Sequence, residues 1–238
     1  IHTPKPIING EEVMGRVRSE RDRFVGFVLE GIENIDEKYH LRSHATFIDD
    51  NTLQVGELKI EAKSVVIATG SSPKIMPMFE GLGDRLIVND EVFEWETLPK
   101  SVAVFGPGMI GMELGQALHR LGVRIRVFGR SGSLKPLSDT AIRDYAEKVF
   151  QAEFPLDTKA KVMGLEREDD HVKIRFFDRE DGTEREESFE YVLTATGRSP
   201  NVTNLALENT SLELDVRGVP VFDKKTMQCG NSSIFIAG

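Results

Sequence analysis

The sequence contains a single cysteine, Cys229, among its 238 residues. One thiol forms no disulfide within the chain, which excludes the disulfide-rich class of small secreted proteins and fits a reducing, cytoplasmic location. Because Cys229 has no partner cysteine, we expect it to be a structural thiol rather than a redox-active one.

Basic residues are also scarce, since 30 Lys and Arg face 39 Asp and Glu, for a net charge of -9. This balance argues against a nucleic-acid partner, because phosphate backbones are bound by basic faces. No apolar run approaches the ~18 residues of a membrane-spanning helix, so we expect no membrane partner. The histidines lack the paired spacing of metal ligands, so we expect no metal site. They are His2, His40, His44, His119 and His171.

The chain does contain two near-identical hexapeptides, A-T-G-S-S-P at residues 68–73 and A-T-G-R-S-P at 195–200. Their glycines, Gly70 and Gly197, lie 197 − 70 = 127 residues apart. Each hexapeptide follows an apolar run and a series of short alternating segments, the pattern of a β-meander that leads into a buried strand. The sequence therefore predicts two copies of one arrangement.

Hydrophobic periodicity predicts the elements around these copies. A long helix is predicted over Glu11–Ile35, with Val13, Val17, Phe24, Val28 and Ile32 on its apolar face. Further helices are predicted over Met109–Leu121 and Thr140–Phe150, the latter with Ile142, Tyr145, Ala146 and Val149 on one face. Strands are predicted over His40–Ile48, Thr52–Val55, Leu58–Glu61, Val65–Ala68, Val102–Phe105, Val123–Phe128, Thr158–Gly164, Val172–Phe177, Arg185–Phe189 and Val192–Ala195, with a turn at Asp181-Gly182.

A G-x-G-x-x-G loop, formed by Gly106, Gly108 and Gly111, joins a predicted strand to a predicted helix, and a second strand follows. This context is typical of a dinucleotide-binding β-α-β unit. The first glycine permits a tight turn, the second lets the backbone approach a pyrophosphate, and the third allows close packing. The backbone of Met109 and Ile110 then opens the helix, whose N-terminus favours phosphate. A glycine-rich turn without a nucleotide is the alternative.

The end of the second strand bears on cofactor choice. An NAD-selective site usually places an acid there, but the chain has Phe128-Gly129-Arg130-Ser131 and no acid before Asp139. Arg130 suits a ribose 2′-phosphate, so NADP(H) is predicted to be tolerated or preferred. The alternative is a solvated arginine beside an unselective site. If the first interpretation holds, Gly129→Glu is expected to shift preference toward NAD(H).

These motifs resemble the pyridine nucleotide–disulfide oxidoreductases, which are flavoprotein disulfide reductases, and among them dihydrolipoamide dehydrogenase-like proteins. The resemblance covers almost the whole chain. It rests on residues 68–70, on Gly106–Gly115 with Glu113 inside it, on residues 195–198 and on the terminal Ile234–Gly238.

The resemblance implies an FAD-dependent enzyme that passes hydride between NAD(P)H and flavin and on to a disulfide or dithiol. It places Gly106, Gly108, Met109, Ile110, Gly111, Gly129, Arg130 and Gly197 at NAD(P), and Ala68, Thr69, Gly70, Ala237 and Gly238 at FAD. It gives Glu113 a supporting catalytic role near the two rings, paired with a lysine upstream. A helix acid favoured by the helix dipole is the alternative for Glu113.

The implied fold is α/β: a Rossmann-like NAD(P)-binding domain with a parallel sheet and a β-meander at 99–200, inserted into a partial FAD-binding domain at 1–98 and 201–238. In the family a redox cysteine pair and the first FAD loop would precede Ile1, and a His–Glu pair and a dimerisation domain would follow Gly238. We therefore expect an internal segment that binds FAD weakly, from a homodimeric parent.

The motifs do not identify the electron acceptor of the parent enzyme. A small-molecule or lipoyl-type disulfide is expected for a dihydrolipoamide dehydrogenase-like enzyme. A mercuric reductase, a glutathione reductase or a soluble transhydrogenase are alternatives within the enzyme class. A non-catalytic nucleotide-binding module is the alternative outside it.

Overall fold

The structure is a computed structural model that describes residues 7–132, 134–178 and 182–238, so His2 and Asp181 of the predicted turn lie outside the described residues. Contacts divide the chain into two compact units. Unit 1 comprises Ile1–Phe27 and Pro73–Gly197, and unit 2 comprises Val28–Ser72 and Arg198–Gly238. The segment 73–98, grouped by sequence with the N-terminal part of an FAD-binding domain, makes its contacts in unit 1. The assignment of the two cofactors to domains stays a prediction.

Helices and strands alternate in the order expected of an α/β protein. In the described residues the α-helices are α1 (Gly10–Glu33), α2 (Met109–Arg120) and α3 (Thr140–Gln151). The strands are β1 (Ala45–Phe47), β2 (Thr52–Val55), β3 (Leu58–Glu61), β4 (Val65–Ile67), β5 (Ser71–Pro73), β6 (Leu86–Ile87), β7 (Ser101–Phe105), β8 (Arg124–Phe128), β9 (Leu156–Asp157), β10 (Lys161–Glu168), β11 (His171–Phe177), β12 (Glu184–Phe189), β13 (Tyr191–Thr194), β14 (Arg198–Pro200) and β15 (Ile234–Ile236). Short 3₁₀ helices cover Glu37–Tyr39, Pro77–Phe79, Gly83–Arg85, Glu91–Glu94 and Leu207–Asn209.

A parallel sheet forms the centre of unit 1, in the order β6-β13-β7-β8-β9. Strand β7 is buried along its whole length, as expected for a parallel strand covered on both faces. Its side chains alternate: Val102 and Val104 pack among residues of α2, whereas Ala103 and Phe105 pack among residues of β11. The sheet is therefore covered by helices on one face and by the antiparallel meander β10-β11-β12 on the other, which confirms the predicted α/β class.

The predicted strand over Thr158–Gly164 is misplaced. In the structure β9, the strand beside β8 in the parallel sheet, ends at Asp157 before the predicted range, and β10 begins at Lys161 in the meander. Thr158 lies between them and is 3% exposed. The chain leaves one sheet and enters another here, a change of direction that the run of side chains does not encode.

The predicted apolar face of α3 is covered only in part. Ile142, Tyr145 and Val149 are 58%, 71% and 48% exposed, whereas Ala146 and Phe150 pack against the core. The helix itself is confirmed and begins where the Asp139 side chain accepts a hydrogen bond from the Ile142 N–H at 3.0 Å.

Helix α1 is confirmed within two residues of its predicted ends, but most of its apolar stripe is not covered. Met14 is its buried residue, whereas Phe24, Val28 and Ile32 are 58%, 63% and 47% exposed. Periodicity thus predicted the helix without indicating what lies against it. No helix in the part of the chain that the structure describes has the length and apolar character needed to cross a membrane.

Unit 2 combines the antiparallel meander β1-β2-β3 with a parallel pair, β4 and β15. The first strand covers Ala45–Phe47 rather than the predicted His40–Ile48. Val65 pairs with Ile234 and Ile67 with Ile236, so segments far apart in sequence share one ladder. An inserted domain requires that the chain segments before and after it pair within one unit, as β4 and β15 do here. Val66, predicted to be buried, is 61% exposed.

Cys229 belongs to the core of unit 2, together with Phe47, Ile67 and Ile234. Its side chain is fully buried, and burial raises the pKa of the thiol because the thiolate is penalised in apolar surroundings. A thiol in these surroundings is unreactive at neutral pH, which agrees with a structural role.

Candidate functional site

The strand order of unit 1 creates a crevice at the carboxyl end of β7. From β7 the chain proceeds to β8 and β9 on one side, while β13 pairs with the other side. Ligands of open α/β sheets bind outside the carboxyl ends of strands where the order reverses in this way. The loop Gly106–Gly111 follows β7, and the segment Ala195–Gly197 follows β13. The structure thus brings two sequence-predicted parts of the nucleotide site to one point.

The two outer glycines of the loop are required by the protein's own packing. Gly106 has φ +106°, and a Cβ atom there would lie 2.4 Å from the Ala195 carbonyl oxygen. A Cβ atom on Gly111 would lie 2.1 Å from the Gly106 carbonyl oxygen. Both contacts involve backbone atoms, so neither is relieved by moving a side chain. The tight turn and the close helix packing predicted for these glycines are therefore present.

Gly108 differs from its two neighbours, because a Cβ atom there meets nothing within 4 Å. Its φ of -87° suits any residue, so the protein's own conformation does not require glycine at this position. The bare backbone of Gly108 borders open space at the crevice. This is the surface that a closely approaching ligand needs, and it fits the pyrophosphate of a dinucleotide.

Helix α2 begins at this open space with Gly108 as its N-cap residue, and no side chain caps it. The first backbone N–H groups of an α-helix have no partner within the helix, so those of Met109 and Ile110 are available to an anion. The Met109 side chain is 68% exposed. Among the residues that the structure describes, no group of three or more His, Cys, Asp or Glu is placed to hold a metal ion.

Gly129 directly follows β8 and occupies a tightly packed, buried position. A Cβ atom there would lie 2.6 Å from Cγ of Pro107, 2.8 Å from the Thr158 carbonyl oxygen and 2.9 Å from the Thr158 Cα. The position leaves no room for a carboxylate side chain. These contacts argue that Gly129→Glu lowers the stability of the fold rather than shifting cofactor preference.

Arg130 follows Gly129 and is exposed. Within the described ranges it makes no hydrogen bond or ion pair, so its guanidinium group is available to a ligand. This placement is compatible with either a 2′-phosphate contact or a solvated arginine.

Glu113 lies on the exposed side of α2, and no partner for its carboxylate occurs among the residues that the structure describes. It is residue 113 − 109 + 1 = 5 of the helix, and the first turn of α2 contains no acid. The explanation by the helix dipole is therefore excluded for Glu113, since that effect is confined to the first turn. Its role near the two rings stays a prediction.

The residues predicted at FAD also come together, within unit 2. Ala68, Thr69 and Gly70 follow β4, and Ala237 and Gly238 follow β15. Because β4 and β15 are parallel, both segments leave the same edge of the pair, where the Ala237 N–H donates to the Ile67 carbonyl at 2.9 Å. Gly70 adopts φ +68°, a conformation that favours glycine.

Asn201 holds the first hexapeptide in place and was missed by the sequence reasoning. Its side-chain amide donates to the Thr69 carbonyl at 3.1 Å, its Oδ1 accepts from the Ser72 hydroxyl at 2.8 Å, and its N–H donates to the Gly70 carbonyl at 3.0 Å. In unit 1 the Lys74 N–H likewise donates to the Gly197 carbonyl at 2.9 Å.

The internal repeat carried a signal for Asn201. The two residues whose N–H groups donate across the repeat, Lys74 and Asn201, each lie four positions after the glycine of their own hexapeptide, since 74 − 70 = 4 and 201 − 197 = 4. The repeat would therefore have drawn attention to residue 201, although not to its amide contacts.

Known proteins resemble this chain in sequence. A mercuric reductase from Staphylococcus aureus is 32% identical over 200 residues, which cover 83% of this chain and 36% of that protein. A dihydrolipoamide dehydrogenase from Chaetomium thermophilum is 28% identical over 222 residues, which cover 89% of this chain and 44% of that protein. The chain thus spans less than half the length of these relatives.

A solved structure supports the fold. The Cu(II) complex of the HOCl-induced flavoprotein disulfide reductase RclA from Escherichia coli matches 94% of this chain and 51% of its own, with a TM-score of 0.78 and 20% identity. Residues 9–238 match the family described as pyridine nucleotide-disulphide oxidoreductase. The match covers almost the whole chain and confirms the resemblance inferred from the motifs. The chain belongs to the pyridine nucleotide-disulphide oxidoreductase family.

Proposed function

We propose that this chain provides the nicotinamide-dinucleotide site and part of the flavin site of an FAD-dependent oxidoreductase. The proposed reaction of the parent passes hydride between NAD(P)H and flavin and exchanges the two electrons with a lipoyl-type disulfide, which becomes the dithiol when it accepts them. The observation that carries the proposal is Gly108. Its backbone borders open space at the crevice. At Gly106 and Gly111, by contrast, the protein's own backbone fills the space that a side chain would need.

The proposed role of unit 1 is to bind and orient the dinucleotide. Gly108 and the N–H groups of Met109 and Ile110 would hold the pyrophosphate, since the partial positive charge of the α2 N-terminus favours an anion there. Gly197, with φ +130° and open space around its Cα, borders the crevice from the carboxyl end of β13. Glu113, on the exposed side of α2, is proposed to orient the nicotinamide end.

The proposed role of unit 2 is to contribute to the flavin site through Ala68, Thr69, Gly70, Ala237 and Gly238. These residues fit such a group because they expose backbone and small side chains at one edge of a parallel pair. Asn201 fixes the conformation of the first segment by its three hydrogen bonds. When bound, FAD supplies the two-electron chemistry, and the residues of this chain bind it and hold it in place.

The electron acceptor and the assembly are also proposals. A lipoyl-type or other small-molecule disulfide is proposed as substrate, in a homodimeric parent located in the cytoplasm. Mercuric ion is a second candidate substrate, because mercuric reductases are among the similar proteins at 30–32% identity. Turnover of the full-length parent with NAD(P)H as electron donor and either lipoamide or mercuric ion as acceptor separates the two candidates.

Gly108→Ala tests the proposed dinucleotide site. The added methyl group enters open space, so the thermal unfolding temperature is expected to stay close to that of wild type. Dinucleotide affinity is expected to fall by about tenfold or more, because the methyl group holds the pyrophosphate away from the backbone and weakens charge-assisted hydrogen bonds. Fluorescence titration of the 238-residue chain with NADH and NADPH measures the effect.

Gly15→Ala is the matched control for this experiment. A Cβ atom on Gly15 in helix α1 also meets nothing within 4 Å, and Arg18 and Arg21 of this helix donate to the carbonyl groups of Trp95 and Phe93, outside the glycine loop. This variant is expected to bind both dinucleotides like wild type. Equal affinities of wild type and Gly108→Ala would contradict the proposed site, as would a wild-type chain that binds neither dinucleotide.

Arg130→Ala tests the proposed preference for NADP(H). The exposed guanidinium group contributes about 1–2 kcal/mol to NADPH binding if it contacts the 2′-phosphate. The substitution is therefore expected to weaken NADPH binding selectively, with NADH affinity as the internal control. A wild-type chain that binds NADH tightly and ignores NADPH would show that Arg130 has no contact with the cofactor.

A further inference from the structure

Lys159 lies across the turn that carries Arg130. Its Cγ, Cδ and Cε atoms occupy points 2.8, 3.0 and 2.2 Å from the position of a Cβ atom on Gly132. Gly132 has φ +69° and no side chain, and the stem of Lys159 fills the space a side chain would take. The Cε atom, which carries the ammonium group, therefore lies beside Gly132.

The turn is fixed to the chain segment that contains Lys159 by three backbone hydrogen bonds. The Gly129 N–H donates to the Asp157 carbonyl at 2.7 Å, the Ala160 N–H to the Gly129 carbonyl at 2.6 Å, and the Gly132 N–H to the Thr158 carbonyl at 2.7 Å. Arg130 and Lys159 therefore share one rigid platform. A binding group on such a platform loses little conformational entropy when a ligand arrives.

The nearby acids are already engaged in other hydrogen bonds. Asp157 Oδ1 accepts the Lys159 N–H at 2.8 Å, and Glu147 accepts the Thr158 hydroxyl at 2.7 Å. Across the residues described, neither the Lys159 ammonium nor the Arg130 guanidinium group forms an ion pair. Two cations without acidic partners on two joined chain segments favour an anionic ligand of high charge density.

We propose that Lys159 is a specificity-determining residue, which binds the ribose 2′-phosphate of NADP(H) together with Arg130. The inference rests on the proposed function and extends it to a residue outside the loop that follows β8. The planar fork of Arg130 meets two phosphate oxygens, and Lys159 adds a point charge from the neighbouring chain segment. Gly132 contributes by leaving room for the lysine stem.

Lys159→Met in the 238-residue chain tests this inference, because methionine keeps an unbranched apolar stem and removes the charge. Calorimetric titration with 2′,5′-ADP and with 5′-AMP isolates the contribution of the 2′-phosphate. The affinity for 2′,5′-ADP is expected to fall about tenfold at low salt, while that for 5′-AMP changes less than about twofold. Lys159→Arg is expected to restore most of the affinity for 2′,5′-ADP.

Lys100→Met is the matched control, since Lys100 is exposed and precedes β7 at the opposite edge of the sheet. It removes the same charge and is expected to leave both affinities unchanged. Equal effects of Lys159→Met and Lys100→Met on 2′,5′-ADP would overturn the inference, because the change would then reflect net charge only. No effect of Lys159→Met would overturn it as well.

The behaviour of the wild-type chain separates this inference from the proposed function. A chain that binds 5′-AMP and 2′,5′-ADP equally well recognises no 2′-phosphate, which contradicts the role of Lys159 and leaves the dinucleotide site intact. A chain that binds neither compound, nor NADH, contradicts both.

Discussion

Gly111→Ala is expected to destabilise unit 1 and to abolish dinucleotide binding. The new methyl group would lie 2.1 Å from the Gly106 carbonyl oxygen and 3.2 Å from the Ala195 Cβ. Overpacking of this kind costs about 3 kcal/mol, because helix α2 has to move away from the loop. The movement also displaces the N–H groups proposed to bind the pyrophosphate. Urea unfolding and fluorescence titration with NADPH measure the two losses.

Gly115→Ala provides a control on the same helix. A Cβ atom there meets Ile125, Val104 and Val127 at 3.5–3.6 Å, which is ordinary van der Waals contact. Because alanine favours a helix over glycine by up to about 1 kcal/mol, Gly115→Ala is expected to be neutral or stabilising. If Gly111→Ala proves as stable as Gly115→Ala, the close approach of α2 to Gly106 does not exist in solution.

Gly129→Glu is expected to lose stability and to bind neither NADH nor NADPH, instead of changing the preference between them. The side chain would collide with Pro107 in the glycine loop and with the backbone of Thr158. Thr158 has little freedom to move, since it is buried and its hydroxyl donates to Glu147 at 2.7 Å. We expect a loss of about 3 kcal/mol in the free energy of unfolding, as for other overpacked buried sites.

Ser131→Glu separates this steric effect from the added charge. Ser131 is exposed two residues further along the same turn, and the same carboxylate there is expected to change the unfolding free energy by less than about 0.5 kcal/mol. A folded Gly129→Glu chain that binds NADH more tightly than NADPH would show that Pro107 and Thr158 yield to the side chain. It would also restore an acid at this strand end as the determinant of cofactor choice.

Local patterns predicted the elements of unit 1 better than their surroundings. Helix α3 begins one residue after its Asp139 cap, in agreement with its predicted start, yet its buried face was misjudged. Of the four residues predicted on one face, Ile142, Tyr145 and Val149 are exposed. Only Ala146 packs against the core, together with Phe150. Which apolar stripe is covered depends on the elements packed against it, and periodicity contains no information about those elements.

In the candidate site, too, local patterns predicted some residues and missed those that depend on distant contacts. The G-x-G-x-x-G spacing and the repeated hexapeptides predicted the residues that meet at the carboxyl ends of β7 and β13, because chirality and strand order restrict where such loops lie. Asn201 escaped notice because its three hydrogen bonds join it to residues more than a hundred positions away. Such contacts are absent from any local pattern.

The sequence by itself determined the α/β class, the glycine loop with its helix, and the family of this protein. Spacing and residue type suffice for these, since turn geometry and helix capping depend on neighbouring residues. Only the tertiary structure decided why Gly129 is glycine and where Lys159 lies. Thr158 closes the space at Gly129 from 158 − 129 = 29 residues downstream, and Gly132 opens the space that the Lys159 stem fills. In both cases the available space depends on a segment far away in sequence, and that segment is brought close only when the chain folds.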